Sequence, residues 1–162
     1  MNLIDNNIDV AIRIGKPKDS SLYGVTVGYV RRVTCAAPAY LESNGPIKKP
    51  EDLKQHSILF PTRFNEPVVW TYHTGGKAIP IKLTPRFQSN QNRAAINAAK
   101  DGVGIVRLMS YQVADALKSG ELVTILDNFI ADAEGIWAVY PHNRQLSPKI
   151  RLLVDFIAEN LA

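Results

Sequence analysis

A helix that lies flat on a sheet needs small side chains along one row, and the stretch from Pro85 to Leu108 supplies them. Ala94 and Ala98, and Ala95 and Ala99, form two rows four residues apart, within a run of good helix formers from Gln91 to Asp101. A short extended run precedes it. Ser89 or Asn90 can cap the helix start, Gly102 stands where a left-handed C-terminal cap is wanted, and Val103 to Leu108 reads as a buried strand. This is one strand-helix-strand unit, and it makes the chain an α/β protein.

In an open α/β sheet, ligands are held beyond the carboxyl ends of the strands, where unpaired N–H groups of the next helix point outward. Gln88 to Asn92 would line that crevice. These residues are polar and uncharged, which suits hydrogen bonds to a small polar or anionic ligand better than catalysis. The competing reading is that Ser89 and Asn90 only cap a helix and that Asn92 is solvated.

The rest of the chain alternates strand-like and helix-like runs. Ile8, Val10, Ile12 and Ile14 alternate with Asp9, Ala11 and Arg13, the pattern of a strand with one apolar face. Asn2 to Asn7 ahead of it look like the tail of a helix. Arg13, near that strand's carboxyl end, is either a planar fork for a ligand carboxylate or a strand-face arginine paired on the surface. Gly15 leads into a polar loop.

Tyr23 to Ala36 reads as one or two strands. Pro38 to Ser43 and Glu51 to His56 read as short helices, and Ser57 to Phe60 as a strand before the polar loop 61–67. Val69 to His73 and Lys77 to Leu83 flank Thr74-Gly75-Gly76 as a hairpin, with Trp70 and Tyr72 on one packing face and His73 exposed at the tip. Ser110 to Ser119 reads as a helix, Glu121 to Leu126 as a strand and Asp127 to Glu134 as a linker. Gly135 to Tyr140 reads as a strand and Ser147 to Leu161 as a helix with a wide apolar stripe.

Several function classes lose their support. The formal charge of +4 is scattered, with only Arg31-Arg32 and Lys48-Lys49 adjacent, so a dense nucleic-acid footprint is missing. The single cysteine, Cys35, allows no internal disulfide and reads as a small buried filler. No secretion signal or membrane-spanning run stands out, so a cytoplasmic location is expected. Gly102-Val103-Gly104 lacks the third glycine of a dinucleotide loop, and Gly75-Gly76-Lys77 lacks the rest of a phosphate loop. There is no Gly-x-Ser-x-Gly elbow, and the three histidines are far apart. No catalytic residue, metal ligand or cofactor is expected.

Many of these pieces, in order, resemble the effector-binding domain of LysR-type transcriptional regulators. They are Ile8 to Gly15, Asp19 to Leu22, Arg31 to Leu41, Pro50 to Leu53 with His56, the Trp70 hairpin, Ala98 to Ile105, Gly120 to Val123, and Val139 to Pro141 with Leu146 to Lys149. The resemblance covers essentially the whole chain. It implies a two-lobed fold like the type II periplasmic binding proteins, with a small effector in a cleft. Residues 1–35 and 131–162 would form the first lobe, and 36–130 the second.

By the same mapping, Arg13, Gly15, Thr62, Arg63, Phe64, Ser89, Asn90, Gln91 and Arg107 would line the cleft. Family members begin with a winged helix-turn-helix and a linker helix, so the resemblance implies a truncated chain whose first lobe is incomplete and exposes apolar surface. The resemblance also implies a homodimer or higher homo-oligomer, contact with DNA only through the missing part, and no enzyme activity. Arg13 and Arg63 with neutral amides favour a small carboxylate or polar aromatic effector. The alternative is a solute-binding receptor of the same fold serving a transporter. Arg107 and Met109 depart from the family, which has apolar residues and a proline there.

Overall fold

A computed structural model describes residues 8–17, 22–61, 68–141 and 147–161. The expected helix tail at 2–7, the loop 62–67 and the loop 142–146 lie outside the described residues. The elements are β1 (Ala11–Ile14), β2 (Leu22–Val30), β3 (Arg32–Ala36), α1 (Pro38–Asn44), a 3-10 turn (Pro50–Gln55), β4 (Ile58–Pro61), β5 (Val68–Thr74), β6 (Lys77–Leu83) and β7 (Pro85–Ser89). They continue with α2 (Asn92–Lys100), β8 (Ile105–Met109), a 3-10 turn (Ser110–Gln112), α3 (Ala114–Lys118), β9 (Val123–Ile125), a 3-10 turn (Asp127–Phe129), β10 (Glu134–Pro141) and α4 (Pro148–Leu161). The chain divides into two compact units, Met1–Val30 with Ala133–Ala162, and Arg31–Asp132.

The first unit is a three-stranded antiparallel sheet in the order β1-β10-β2. The strong β-formers and alternating pattern of Leu22 to Val30 and of Glu134 to Pro141 suit a sheet buried in part on both faces. Ile12 sits opposite Ala138 and Ile14 opposite Ile136, on the face that also carries Val25 and Tyr140. α4 packs against β2 on that face, burying Ile150 and Val154. It does not cover the far edge strand. Ile12 and Ile14 therefore remain 47% and 40% exposed, where the alternating pattern alone predicts a covered apolar face. Lys149 forms an ion pair with Asp9, Nζ to Oδ2 at 2.6 Å, tying the start of α4 to the segment before β1.

The second unit holds a five-stranded sheet in the order β7-β4-β8-β3-β9 and the separate hairpin β5-β6. β7, β4 and β8 run parallel, and β3 is antiparallel to both β8 and β9. β3, which carries Cys35, is bonded into this sheet. The two alanine rows are buried unequally: Ala95 and Ala99 have no exposed surface, whereas Ala94 and Ala98 are half-buried, with Ala98 packed against the edge of the core. The core adds Val33, Cys35, Leu53, Ile58, Leu59, Ile105 and Val106 from strands and turns, and Trp70 and Tyr72 from the hairpin.

Some expected elements come out shorter or split. The helix expected over Ser110 to Ser119 is a 3-10 turn followed by five-residue α3, with the break at Val113, whose buried side chain joins the core. The linker expected over Asp127 to Glu134 opens with a 3-10 turn after Leu126, which has the left-handed φ of 60°, and Glu134 already pairs in β10. His73 is half-buried rather than exposed, because the hairpin tip lies near Asn128 to Asp132.

Gly104 is required by packing. A Cβ there would sit 2.3 Å from the Ser57 carbonyl oxygen and 2.8 Å from its Oγ, and Ile105 N–H donates to the same carbonyl at 2.8 Å. Close approach of two backbones admits no side chain. Gly104→Ala should lower stability by about 3 kcal/mol, read as a fall in the denaturant midpoint with an unchanged slope. A midpoint within error of wild type would show that the two strands part readily here.

Candidate functional site

The residues singled out on sequence grounds fall at three places. Ser89 ends β7, and Asn90 and Gln91 bridge it to α2 at the carboxyl edge of the parallel strands. Gln91 occupies the N-cap position with no side-chain cap bond. Ser89 Oγ instead accepts the Gln91 N–H at 3.1 Å, so the expectation that Ser89 or Asn90 caps the helix is corrected. The physical reason is position: both residues lie before the cap, and the Ser89 hydroxyl closes a tight turn ahead of it. Asn90 and Gln91 are exposed. The first-turn N–H groups of α2, two exposed amide side chains and the Ser89 hydroxyl thus open on one surface and can donate to a polar or anionic group.

Arg107 is the second place. It is half-buried on β8, opposite Thr34 of β3, and level with Gln88 across β4, about 10 Å away. Its Nη2 donates to the Thr71 carbonyl at 2.8 Å, and its guanidinium carbon lies 4.5 Å from the centre of the Tyr72 ring. Tyr72 Oη is 2.8 Å from Thr34 Oγ1. Burial lowers the Arg107 pKa from its ordinary value and raises that of Tyr72; arginine stays charged in either case. Most of the Arg107 head is therefore used in holding the β5-β6 hairpin to the sheet, and its buried Nε has no partner among the described residues.

Thr34 and Tyr72 were not singled out as polar groups. The only signal was the alternation that puts Trp70 and Tyr72 on one face of the hairpin.

Arg13 and Gly15 form the third place, in the first unit. Arg13 is half-buried on β1 opposite Trp137. Gly15 has φ 86° and donates its N–H to the Gly135 carbonyl at 2.9 Å, a conformation that glycine alone adopts at little cost. Thr62, Arg63 and Phe64 lie outside the described residues. Among the described residues no group of three His, Cys, Asp or Glu side chains is placed to hold a metal, and no helix is long and apolar enough to cross a membrane. Cys35 is fully buried. Desolvation, with the nearby Asp127 carboxylate second, pushes its thiol pKa up to about 12, the opposite of an activated nucleophile.

The second unit thus presents an uncharged, donor-rich loop at the carboxyl edge of its parallel strands. The chain matches the family described as the LysR substrate binding domain over residues 1–162, and it belongs to that family: it is an effector-binding regulatory domain with a two-lobed, periplasmic-binding-protein-like fold.

It is 30% identical to the HTH-type transcriptional regulator PtxR of Pseudomonas aeruginosa over 160 residues, covering 99% of this chain and 51% of that protein. It is 29% identical to the HTH-type transcriptional activator TtdR of Escherichia coli, covering 98% of this chain and 51% of that protein. The chain spans about half the length of the curated relatives it matches. Among solved structures it resembles the regulatory domain of AphB from Vibrio vulnificus treated with cumene hydroperoxide, at TM-score 0.81 and 28% identity over 95% of this chain and 76% of that one. It also resembles CrgA of Neisseria meningitidis, a LysR-type transcriptional regulator, at TM-score 0.82 and 27% identity over 99% of this chain and 55% of that one.

The raised Cys35 pKa has a sign that can be tested. The folded state holds the thiol proton to higher pH than the unfolded chain, so the stability it contributes is present below the ordinary thiol range and is lost as pH rises toward about 12. Between pH 8 and pH 10 the denaturant midpoint should fall, and Cys35→Ala should remove about 1 kcal/mol of that fall. An equal fall in the two proteins would show that Cys35 gives up its proton as readily in the folded state as in the unfolded chain.

Proposed function

We propose that this chain is the sensing module of a DNA-binding transcriptional regulator: a small effector binds it and changes how an attached DNA-binding segment sits on its operator. The observation that carries this reading is the match to the LysR family from end to end, with relatives that are themselves transcriptional regulators. DNA is reached through a segment outside this chain, and the module acts in the cytoplasm without catalysing a reaction. We take the two compact units as the two lobes. The same relatives give the transporter-receptor alternative no support.

Recognition falls to Ser89, Asn90 and Gln91 at the head of α2, and the family resemblance adds Thr62, Arg63, Phe64, Arg107, Arg13 and Gly15 as candidate effector contacts. Neutral amides and hydroxyls beside arginines suit a small carboxylate or a polar aromatic. Arg107 has most of its head engaged by the hairpin and its Nε is buried, so its share in recognition is its positive charge. The module works as a homo-oligomer. Leu152 and Phe156 on α4 are 73% and 62% exposed, apolar surface that a second copy would cover.

Two measurements test this reading. A panel of small carboxylates and polar aromatics should contain a ligand that raises Tm; Asn90→Ala should weaken that ligand about tenfold with Tm of the free protein unchanged, and Ser89→Ala should weaken it while also lowering Tm slightly through loss of the Gln91 N–H bond. A full panel without a shift, or chemical conversion of any member, would remove the sensing assignment. In sedimentation, Phe156→Glu should move the protein toward monomer; an unchanged sedimentation coefficient would exclude α4 from the interface.

A further inference from the structure

A recess of about 600 Å3 lies in the second unit, lined by Tyr40, Asn44, His56, Ser57, Arg86 and Val103 among others. It is at the amino-terminal edge of β4, β7 and β8, the opposite end of β7 from Ser89. Ile58 sits beside Pro85 and Leu59 beside Phe87, so Arg86 is the extra residue of a bulge, a device that re-aims a side chain. Arg86 is exposed, and no carboxylate is among the residues lining the recess.

The imidazole of His56 is fixed by its surroundings. Ser57 N–H donates to Tyr40 Oη at 2.9 Å, and Tyr40 Oη lies 3.2 Å from His56 Nδ1. In the tautomer whose Nδ1 accepts the Tyr40 hydroxyl proton, the ring proton is carried on Nε2. Ser57 Oγ is buried without a partner among the described residues, a group that ordinarily finds one. The N–H groups of Gly102 and Val103 are already spent on the Ala99 and Ala98 carbonyls. The donors left to a ligand are therefore side chains, among them the Arg86 guanidinium, His56 Nε2–H and Ser57 Oγ–H, with the Asn44 and Gln55 amides at the rim. Val103, 41% exposed, offers an apolar flank. α1, the first 3-10 turn and α2 all end here; their carbonyl ends disfavour an anion, so the positive charge an oxyanion needs at this edge falls to Arg86.

We propose that this recess is a second ligand site, separate from the effector loop, for a small oxyanion: a carboxylate or a phosphate group held by Arg86, His56 and Ser57. The proposal stands independently of what binds at Ser89 to Gln91. Titration of the whole chain with inorganic phosphate, and separately with benzoate, followed through its backbone amide NMR signals, tests it. At least one probe should give saturable shifts at Ser57, Gly102 and Val103. Arg86→Gln should weaken that binding about tenfold, with Arg86→Lys recovering part of it. Saturation by phosphate alone or by benzoate alone identifies the oxyanion. Shifts that rise linearly throughout, an affinity unchanged in Arg86→Gln, or shifts confined to Ser89 through Asn92 would overturn the second site.

Discussion

The close approach of α2 to its sheet sets the terms for the rest of the second unit. Ala95 and Ala99 are fully buried because the helix lies low enough to leave space for a methyl group and little more. The helix runs against β4, β7, β8 and β3, so one row of small residues holds four strands in place. From that seat its first turn opens beside Ser89, and its last turn hands the chain to Gly102, whose φ of 73° ends the helix. Glu121, in an ion pair with Lys100 at 2.8 Å, ties the end of α2 to the segment before β9. The position of the donor-rich loop at one edge and of the Arg86 recess at the other follows from this single seating.

A second constraint is the polar cluster under the hairpin. Thr34, Tyr72 and Arg107 are held by one hydroxyl pair, one guanidinium-to-carbonyl bond and one cation-π contact. Buried polar groups that satisfy one another fix a unique arrangement more firmly than apolar contact alone, since each alternative leaves a donor or acceptor unmet. The arginine is accommodated at this position because the aromatic face and the Thr71 carbonyl receive it.

The legible parts of the fold were those where local chemistry decides. The hairpin turn at Gly75-Gly76, the stop at Gly102 and the alanine rows were all visible in the residues, and the strand-helix-strand unit from Pro85 onward was found within a residue or two of its ends. The choice between alanine rows was not visible, because it depends on how the helix is rotated on strands far away in sequence. Ser89 as a turn residue rather than a cap escaped for a similar reason, while exposed apolar surface on the first unit was expected and is found at Ile12 and Ile14; alternation shows that a strand has an apolar face, not which of its residues a helix reaches. The polar loop at Ser89 to Gln91 was readable from its position after a strand. The Arg86 recess was not, because its donors come from three separate segments and a bulge.

The first unit is built from the two ends of the chain, and this bears on the order of assembly. Val30 pairs with Glu134, so closing β2 on β10 spans about 100 residues, at an entropic cost of about 4 kcal/mol if the intervening chain is still flexible. The second unit is one continuous segment, and its central pairings of β4 with β7 and β8 span shorter loops. Once that segment has collapsed, the chain between β2 and β10 is no longer a free loop. The continuous unit thus acts as the template on which the discontinuous one can form, and a slow step in folding would report on the sheet made from the two ends.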